Sequence, residues 1–395
     1  MSQRELFLRY VAQTSPSPLL LEIEKAEGIY LYAPSGKKYI DLISGISVSN
    51  VGHRHPKVLE AIENQLQKYL HLMVYGEYVQ SPQVLLAQKL VENLPNHLDN
   101  VYFTNSGSEA VEGALKLAKR YTGRSEIISC YNAYHGSTQG ALSVGGNEYF
   151  KRAYRPLLPC VKHIHYGSYS DLTKITEKTA CVIIETIQGE AGVKVACSNY
   201  FQQLAKRCKQ VGALLILDEI QAGFGRTGKL WAFEHFGIVP DILVLAKGMG
   251  GGMPIGAFVA NRAVMQSFTY NPVLGHITTF GGHPVSAAAA KATLEIILSE
   301  QLAEQAESKA QLFLSYLKHP QIRQIRYKGL LMAVEFESFN LLKKIIDKAL
   351  DLGVITDWFL FCDNAMRIAP PLTITETEIE QSCELILKAI KQVYS

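Results

Sequence analysis

Between residues 101 and 259 the chain alternates short, almost unbroken apolar runs with stretches of helical periodicity. The runs are 101–105, 126–130, 181–185, 214–218, 242–246 and 255–259. Each is too short for a helix, and near-continuous apolar character is what a parallel strand buried on both faces requires. Segments 109–120 and 200–211 between them repeat apolar residues at helical spacing. Strand–helix alternation sustained over this length predicts an α/β domain with a mostly parallel, doubly wound sheet.

The two ends read differently. Residues 20–43 carry two β-type runs around the turn signal Pro34-Ser35-Gly36. After Gly281-Gly282 the pattern predicts one long Ala-rich helix from Val285 to about Lys309. A strand-like run at 330–337, a helix at 340–352 and a last helix from about Glu376 follow. The expected organisation is an N-terminal segment (1–45) packing on a smaller α+β domain (283–395), with the large domain between them (46–282).

Composition narrows the function classes. With 39 Lys+Arg against 36 Asp+Glu the net charge is +3, spread along the chain. That is not the electrostatic footprint of a nucleic-acid or membrane-surface binder. No stretch approaches the roughly 18 apolar residues of a membrane span. The opening residues hold no apolar core followed by a small-residue cleavage site, so a cytoplasmic location is expected. Seven cysteines (130, 160, 181, 197, 208, 362 and 383) are dispersed without a C-x-x-C pair and read as structural thiols. His53-x-His55 and His163-x-His165 have a spacing that suits a metal on a strand, but the second pair has no third ligand nearby in sequence. No metal is expected.

In an open α/β sheet, ligands gather beyond the carboxyl ends of the strands. Three such ends carry chemistry. Thr104-Asn-Ser-Gly-Ser-Glu109 leads into a helix, where free N–H groups favour an anion; a plain helix cap by Ser106 or Ser108 is the competing reading. Asp218 closes an apolar strand, where a carboxylate needs a cation or strong donor. Either a protonated ring nitrogen or a neighbouring Lys or Arg would serve. Lys247 stands between an apolar run and Gly-Met-Gly-Gly-Gly252. It is either a desolvated amine able to form a Schiff base or a snorkelling lysine. Anion cradle, terminal aspartate and buried lysine together suit pyridoxal 5'-phosphate (PLP), which has a phosphate, a pyridine nitrogen and an aldehyde.

From Gly28 to Pro371 the sequence resembles the class III (ω-amino-acid) aminotransferases of PLP fold type I, such as the acetylornithine, ornithine and 4-aminobutyrate enzymes. The resemblance rests on seven blocks in order: Gly52-His-Arg-His-Pro56, Ser106-Gly-Ser-Glu109, Tyr134-His-Gly136, Glu185-Thr-Ile-Gln-Gly-Glu190, residues 218–228, Pro240-Asp-Ile with Ala246-Lys-Gly248, and Thr278-Thr-Phe-Gly-Gly282. It implies a two-half-reaction transamination from an ω-amino acid or related amine to an oxoacid, 2-oxoglutarate above all. Lys247 would hold the cofactor as a Schiff base and shuttle the proton, and Asp218 would keep the ring nitrogen protonated. Ser106, Gly107 and Ser108 would form the phosphate site, Tyr134 and Ile220 would flank the ring, and Gln221 would reach the ring hydroxyl. Thr279 would reach the phosphate of a partner, the family building shared active sites across a homodimer. Arg367 would pair with a substrate α-carboxylate, and Glu190 would neutralise Arg367 when the substrate has none there.

Three positions depart from the family's pattern. Ser137 replaces an Arg that clamps distal carboxylates, and Ile46 stands where ornithine-specific members carry an aromatic. His283 replaces Asn in Gly-Asn-Pro, marking a subgroup or capping the next helix. An aminomutase of the same fold and a non-catalytic scaffold are the alternatives. The scaffold would dispense with Lys247 or Asp218, and the chain has both. No G-x-G-x-x-G follows a strand, which disfavours a dinucleotide enzyme.

Overall fold

The computed structural model describes residues 1–74 and 76–394. Its centre is a seven-stranded sheet in the order Asn100–Thr104, Gly256–Ala260, Ile242–Leu245, Leu214–Asp218, Thr179–Glu185, Glu126–Cys130, Val161–Ile164. Six strands run in one direction. The run expected at 255–259 is instead antiparallel to both neighbours. Only residues 246–255 separate it from the preceding strand, too few for the crossover that a parallel return demands. An apolar run carries no sign of direction, which is why the sequence misreads it.

Val161–Ile164 pairs parallel to Glu126–Cys130 at the sheet edge. Its residues are mostly half-exposed or exposed, so it lacks the continuous apolar signature and escapes the sequence reading. The helix Gly107–Thr122 is capped by the Ser106 side chain and stopped by Gly123 in the left-handed region. Ser198–Val211 likewise ends on Gly212. The single long helix expected after Val285 is two, Pro284–Ser299 and Leu302–Tyr316. Gln301 breaks it with φ +51, a break that no Gly or Pro marks.

Two four-stranded sheets complete the fold. Lys25–Glu27, Tyr30–Tyr32 and Lys38–Asp41 form an antiparallel set, to which Val354–Ile355 adds in parallel. Gln324–Lys328, Leu331–Glu335, Cys362–Ile368 and Trp358–Phe359 form the other, antiparallel throughout. Helices Phe339–Leu352 and Glu376–Tyr394 belong to the same half of the chain.

Two features join the sheets. Ser44, Gly45, Ile46 and Ser47 are consecutive left-handed residues, with φ from +47 to +63. Such a turn costs roughly 1–2 kcal/mol per non-glycine residue. It is held by Asp41, whose Oδ1 accepts the Ile43 and Ser44 N–H groups at 2.8 and 2.9 Å, and by the Ser44 hydroxyl, which donates to the Ala369 carbonyl at 2.7 Å. Arg226 is fully buried and donates to the carbonyls of Leu330 and Pro370, to Asn50 Oδ1 and to the Ser44 hydroxyl. Burial pushes its guanidinium down to about 9, with the Asp41 charge opposing. Among the described residues, no helix is long and apolar enough to cross a membrane.

Candidate active site

A cavity of about 400 Å³ opens beyond the carboxyl ends of the central strands. Ser106, Gly107, Ser108, Tyr134, Asp218, Ile220, Gln221 and Lys247 all line it, together with His135 and Glu185. The sequence spreads these residues over more than 140 positions; the parallel strands bring them to one edge.

One wall is the start of helix Gly107–Thr122. The N–H groups of Gly107 and Ser108 have no intrahelical acceptor, and the helix dipole favours an anion in front of them. Ser106 Oγ is occupied as the cap, accepting the Glu109 N–H at 3.2 Å. Gly107 lets Ile220 pack close, since a Cβ there would lie 2.7 Å from Ile220 Cδ1 and push that side chain aside. Gly136, at φ +128, leaves room for the Ser108 hydroxyl, which a Cβ would meet at 2.1 Å.

Asp218 is buried and doubly held. Its Oδ2 accepts from His135 Nδ1 at 2.7 Å and its Oδ1 from the Ile220 N–H at 3.0 Å. The sequence left Asp218 a choice of partners; the structure pairs it with His135. Among the described residues His135 Nε2 is buried with no partner, as is Glu185 Oε2. Burial, with Asp218 and Glu190 nearby, raises the Glu185 carboxyl well above the usual range. Both residues lie in the sequence blocks, but only the fold reveals what they face.

Lys247 adopts φ +47 at the strand end, a conformation rare for a side-chain-bearing residue and typical of strained functional positions. Burial lowers its ammonium pKa, with Arg367 acting in the same sense and Glu190, Asp218 and Glu185 opposing. An amine biased towards its neutral form can attack an aldehyde.

Arg367 and Glu190 form a bidentate pair, Nη1–Oε1 at 2.8 Å and Nη2–Oε2 at 3.0 Å. They are joined to the cavity through Gln221, whose Nε2 donates to Glu190 Oε1 at 3.4 Å. Burial alone would raise the Glu190 carboxyl, but Arg367 holds it below its ordinary value. Burial alone would likewise lower Arg367, and its carboxylates hold it above. The guanidinium lies 4.5 Å from the Phe359 ring centre. Its Nε donates to Asp357 Oδ1 at 2.9 Å, a partner that no sequence pattern announces.

The remaining candidates sit elsewhere. Thr279 is exposed and does not line this cavity. Ile46 is half-buried in the left-handed turn, and Val48 beyond it reaches the cavity wall. Ser137 is exposed, its hydroxyl 3.3 Å from that of Tyr134. Arg155 pairs with Glu148 and Arg152 lies over the Tyr149 ring, so neither replaces the missing clamp. His283 makes no side-chain cap bond to the helix it precedes; its ring stacks on His71. His163 Nε2 donates to the Gly145 carbonyl and His165 Nδ1 to Asp171.

The sequence profile described as Aminotransferase class-III matches residues 10–390. The chain belongs to the class III aminotransferases. It is 37% identical over 394 residues to the acetylornithine aminotransferase of Methanopyrus kandleri, covering 99% of each. It is 41% identical over 376 residues to the putrescine aminotransferase of Pectobacterium atrosepticum, 91% of this chain and 79% of that one. Among solved structures it is similar to the ornithine aminotransferase of Toxoplasma gondii, with TM-score 0.92, 30% identity and coverage of 100% and 96%. This aminotransferase therefore has PLP fold type I, depends on PLP, and transfers ω-amino groups between small molecules.

The residues fit that cofactor. The cavity offers a helix N-terminus for a phosphate, a carboxylate for a ring nitrogen and an amine for an aldehyde, with two unpartnered buried polar atoms beside them. When bound, PLP supplies an electron sink for the carbon that loses a proton. Around the cavity stand the Lys247 amine, Asp218 held by His135, and, behind Gln221, Arg367 paired with Glu190 and Asp357.

Proposed function

We propose that this chain takes the terminal amino group of a diamine or ω-amino acid and delivers it to a 2-oxoacid, 2-oxoglutarate foremost. Lys247 is the catalytic base that carries the proton, and Asp218 is the catalytic counter-charge to the ring nitrogen. Gly107 and Ser108 receive the phosphate, with Ser106 setting their helix end. Tyr134 and Ile220 enclose the ring, and Gln221 meets its hydroxyl. Ile46 shapes the substrate side.

The observation that carries the substrate reading is the closed Glu190–Arg367 pair behind Gln221. With the pair closed, the site near Lys247 accepts an amine that has no carboxylate beside the reacting carbon. Once Glu190 swings away, Arg367 Nη1 and Nη2 present the paired donors that an α-carboxylate needs. One pocket thus serves two substrates in turn. The absence of a clamp at Ser137 favours diamines over acylated or carboxylate-ended donors.

The working unit is proposed to be a homodimer in the cytoplasm, with a large domain at 46–282 and a small one at 283–395 onto which residues 1–45 pack. Tyr78, Val79, Val273, Leu274 and Ile277 are exposed around a second cavity, in the same region as Thr279. Water-exposed apolar side chains so concentrated suit a second copy of the chain.

The test is spectroscopic. Purified protein should be yellow and should bleach on adding diamines, ω-amino acids or glutamate one at a time, with 2-oxoglutarate restoring the colour. Lys247→Ala should retain PLP yet lose turnover. Normal transamination by that variant, or no bleaching by any donor, would sink the assignment. Sedimentation of the wild type as a monomer would remove the shared-site proposal.

A further inference from the structure

Arg367 has more negative charge around it than a two-state switch requires. Glu190 takes Nη1 and Nη2, Asp357 takes Nε at 2.9 Å, and the Trp358 carbonyl takes a second Nη2 proton at 3.2 Å. If Glu190 leaves, Asp357 and Trp358 still fix the plane of the guanidinium. Asp357 is also bound through its backbone, its carbonyl accepting the Arg367 N–H at 2.9 Å, which holds its main chain beside Arg367. One guanidinium between two carboxylates leaves this cluster with a net single negative charge before any substrate arrives. When Glu190 leaves, Asp357 already balances the guanidinium, so an entering carboxylate meets a neutral pair and brings back the net negative charge.

We infer that Asp357 is a positioning residue that sets substrate selectivity: it keeps Arg367 oriented but already neutralised, which weakens α-carboxylate capture and favours primary amines with no carboxylate at that end. The inference rests on the reading of Arg367 as the carboxylate site. It concerns a residue outside the seven family blocks and adds a thermodynamic bias to the switch. Groups facing the Asp357 carboxyl are Arg367, Glu190 and Asp41, and Asp41 is itself tied to His53 at 2.8 Å. Burial, against the pull of Arg367, pushes Asp357 up to about 6. It is therefore ionised at neutral pH and becomes neutral below about 6.

The test is calorimetric binding of glutarate, a dicarboxylate that cannot react, to the holoenzyme. Asp357→Asn keeps an acceptor for Nε and removes the charge; it should bind glutarate about tenfold more tightly, the equivalent of ~1.4 kcal/mol. Asp357→Ser, a smaller neutral change, should shift in the same direction, and Asp357→Glu should stay near wild type. The KM of a carboxylate-free diamine should not fall in the neutral variants. Wild-type affinity for glutarate should rise as the pH drops through about 6, and Asp357→Asn should lack that step. Equal or weaker glutarate binding by both neutral variants would overturn the inference. Arg367→Gln separates the two levels. If it weakens glutarate binding while the Asp357 variants do nothing, only the role of Asp357 falls. If it leaves glutarate binding unchanged, the carboxylate does not dock on Arg367 and the underlying reading falls too.

Discussion

Two arginines are almost completely buried in this molecule, and they are solvated in opposite ways. Arg226 is surrounded by neutral oxygens from three separate segments and has no ion pair among the described residues. Arg367 sits between two carboxylates. Burial drags the first down and the acids hold the second up. Backbone carbonyls cannot leave, so the Arg226 cluster is a permanent joint. A carboxylate on a side chain can rotate away and another can take its place, so the Arg367 cluster can be exchanged for substrate. Permanence and exchangeability follow from the kind of oxygen that meets the guanidinium.

The contrast can be broken at several points, of decreasing size. Arg226→Met strips donors from buried carbonyls and should lower stability by about 3–5 kcal/mol, seen as an earlier chemical unfolding midpoint. A variant as stable as wild type would show that Arg226 is no joint at all. Arg367→Gln should cut kcat/KM for the oxoacid about 100-fold, read in steady-state assays with each substrate varied in turn. Glu190→Gln removes the charge facing Nη1 and Nη2 and leaves Asp357 as the carboxylate on the guanidinium. The kcat/KM of carboxylate-free amines should fall about tenfold, while that of glutamate does not fall. Equal losses for both donors would mean that Glu190 is not a switch.

The smallest effect is on acid stability. His235 Nε2 donates to the carbonyl of Thr227, next to Arg226, and burial pushes the ring down from 6.5 to about 4. The unfolded chain therefore binds a proton that the folded one refuses, so stability declines as pH falls from about 6.5 towards 4. His235→Gln should flatten that part of a pH–stability curve, and an unchanged slope would count against this residue.

Sequence patterns carry the strand ends well, because apolar runs buried on both faces are unmistakable and a polar residue at their ends has few structural reasons to be there. Asp218 and Lys247 are found in that way. Direction and pairing are harder to read. Gly256–Ala260 reverses because of loop length, and Leu302–Tyr316 separates from the preceding helix at Gln301, which has no breaker chemistry. His135 with Asp218, and Asp357 with Glu190 across Arg367, are partnerships over distances of 83 and more than 160 residues. Local spacing holds no record of them.

The left-handed turn at Ser44–Ser47 bears on how the protein is made. Its latch, the Ala369 carbonyl, leaves the ribosome more than 320 residues after the turn does. Strand Lys38–Asp41 waits similarly for Val354–Ile355. The seven-stranded sheet, whose last strand in sequence is Gly256–Ala260, has what it needs to condense early in synthesis. The front wall of the pocket, beside Val48, stays unlatched until the end of translation, so a chain cut short before residue 369 would have its lysine and aspartate in place and no finished room for a substrate.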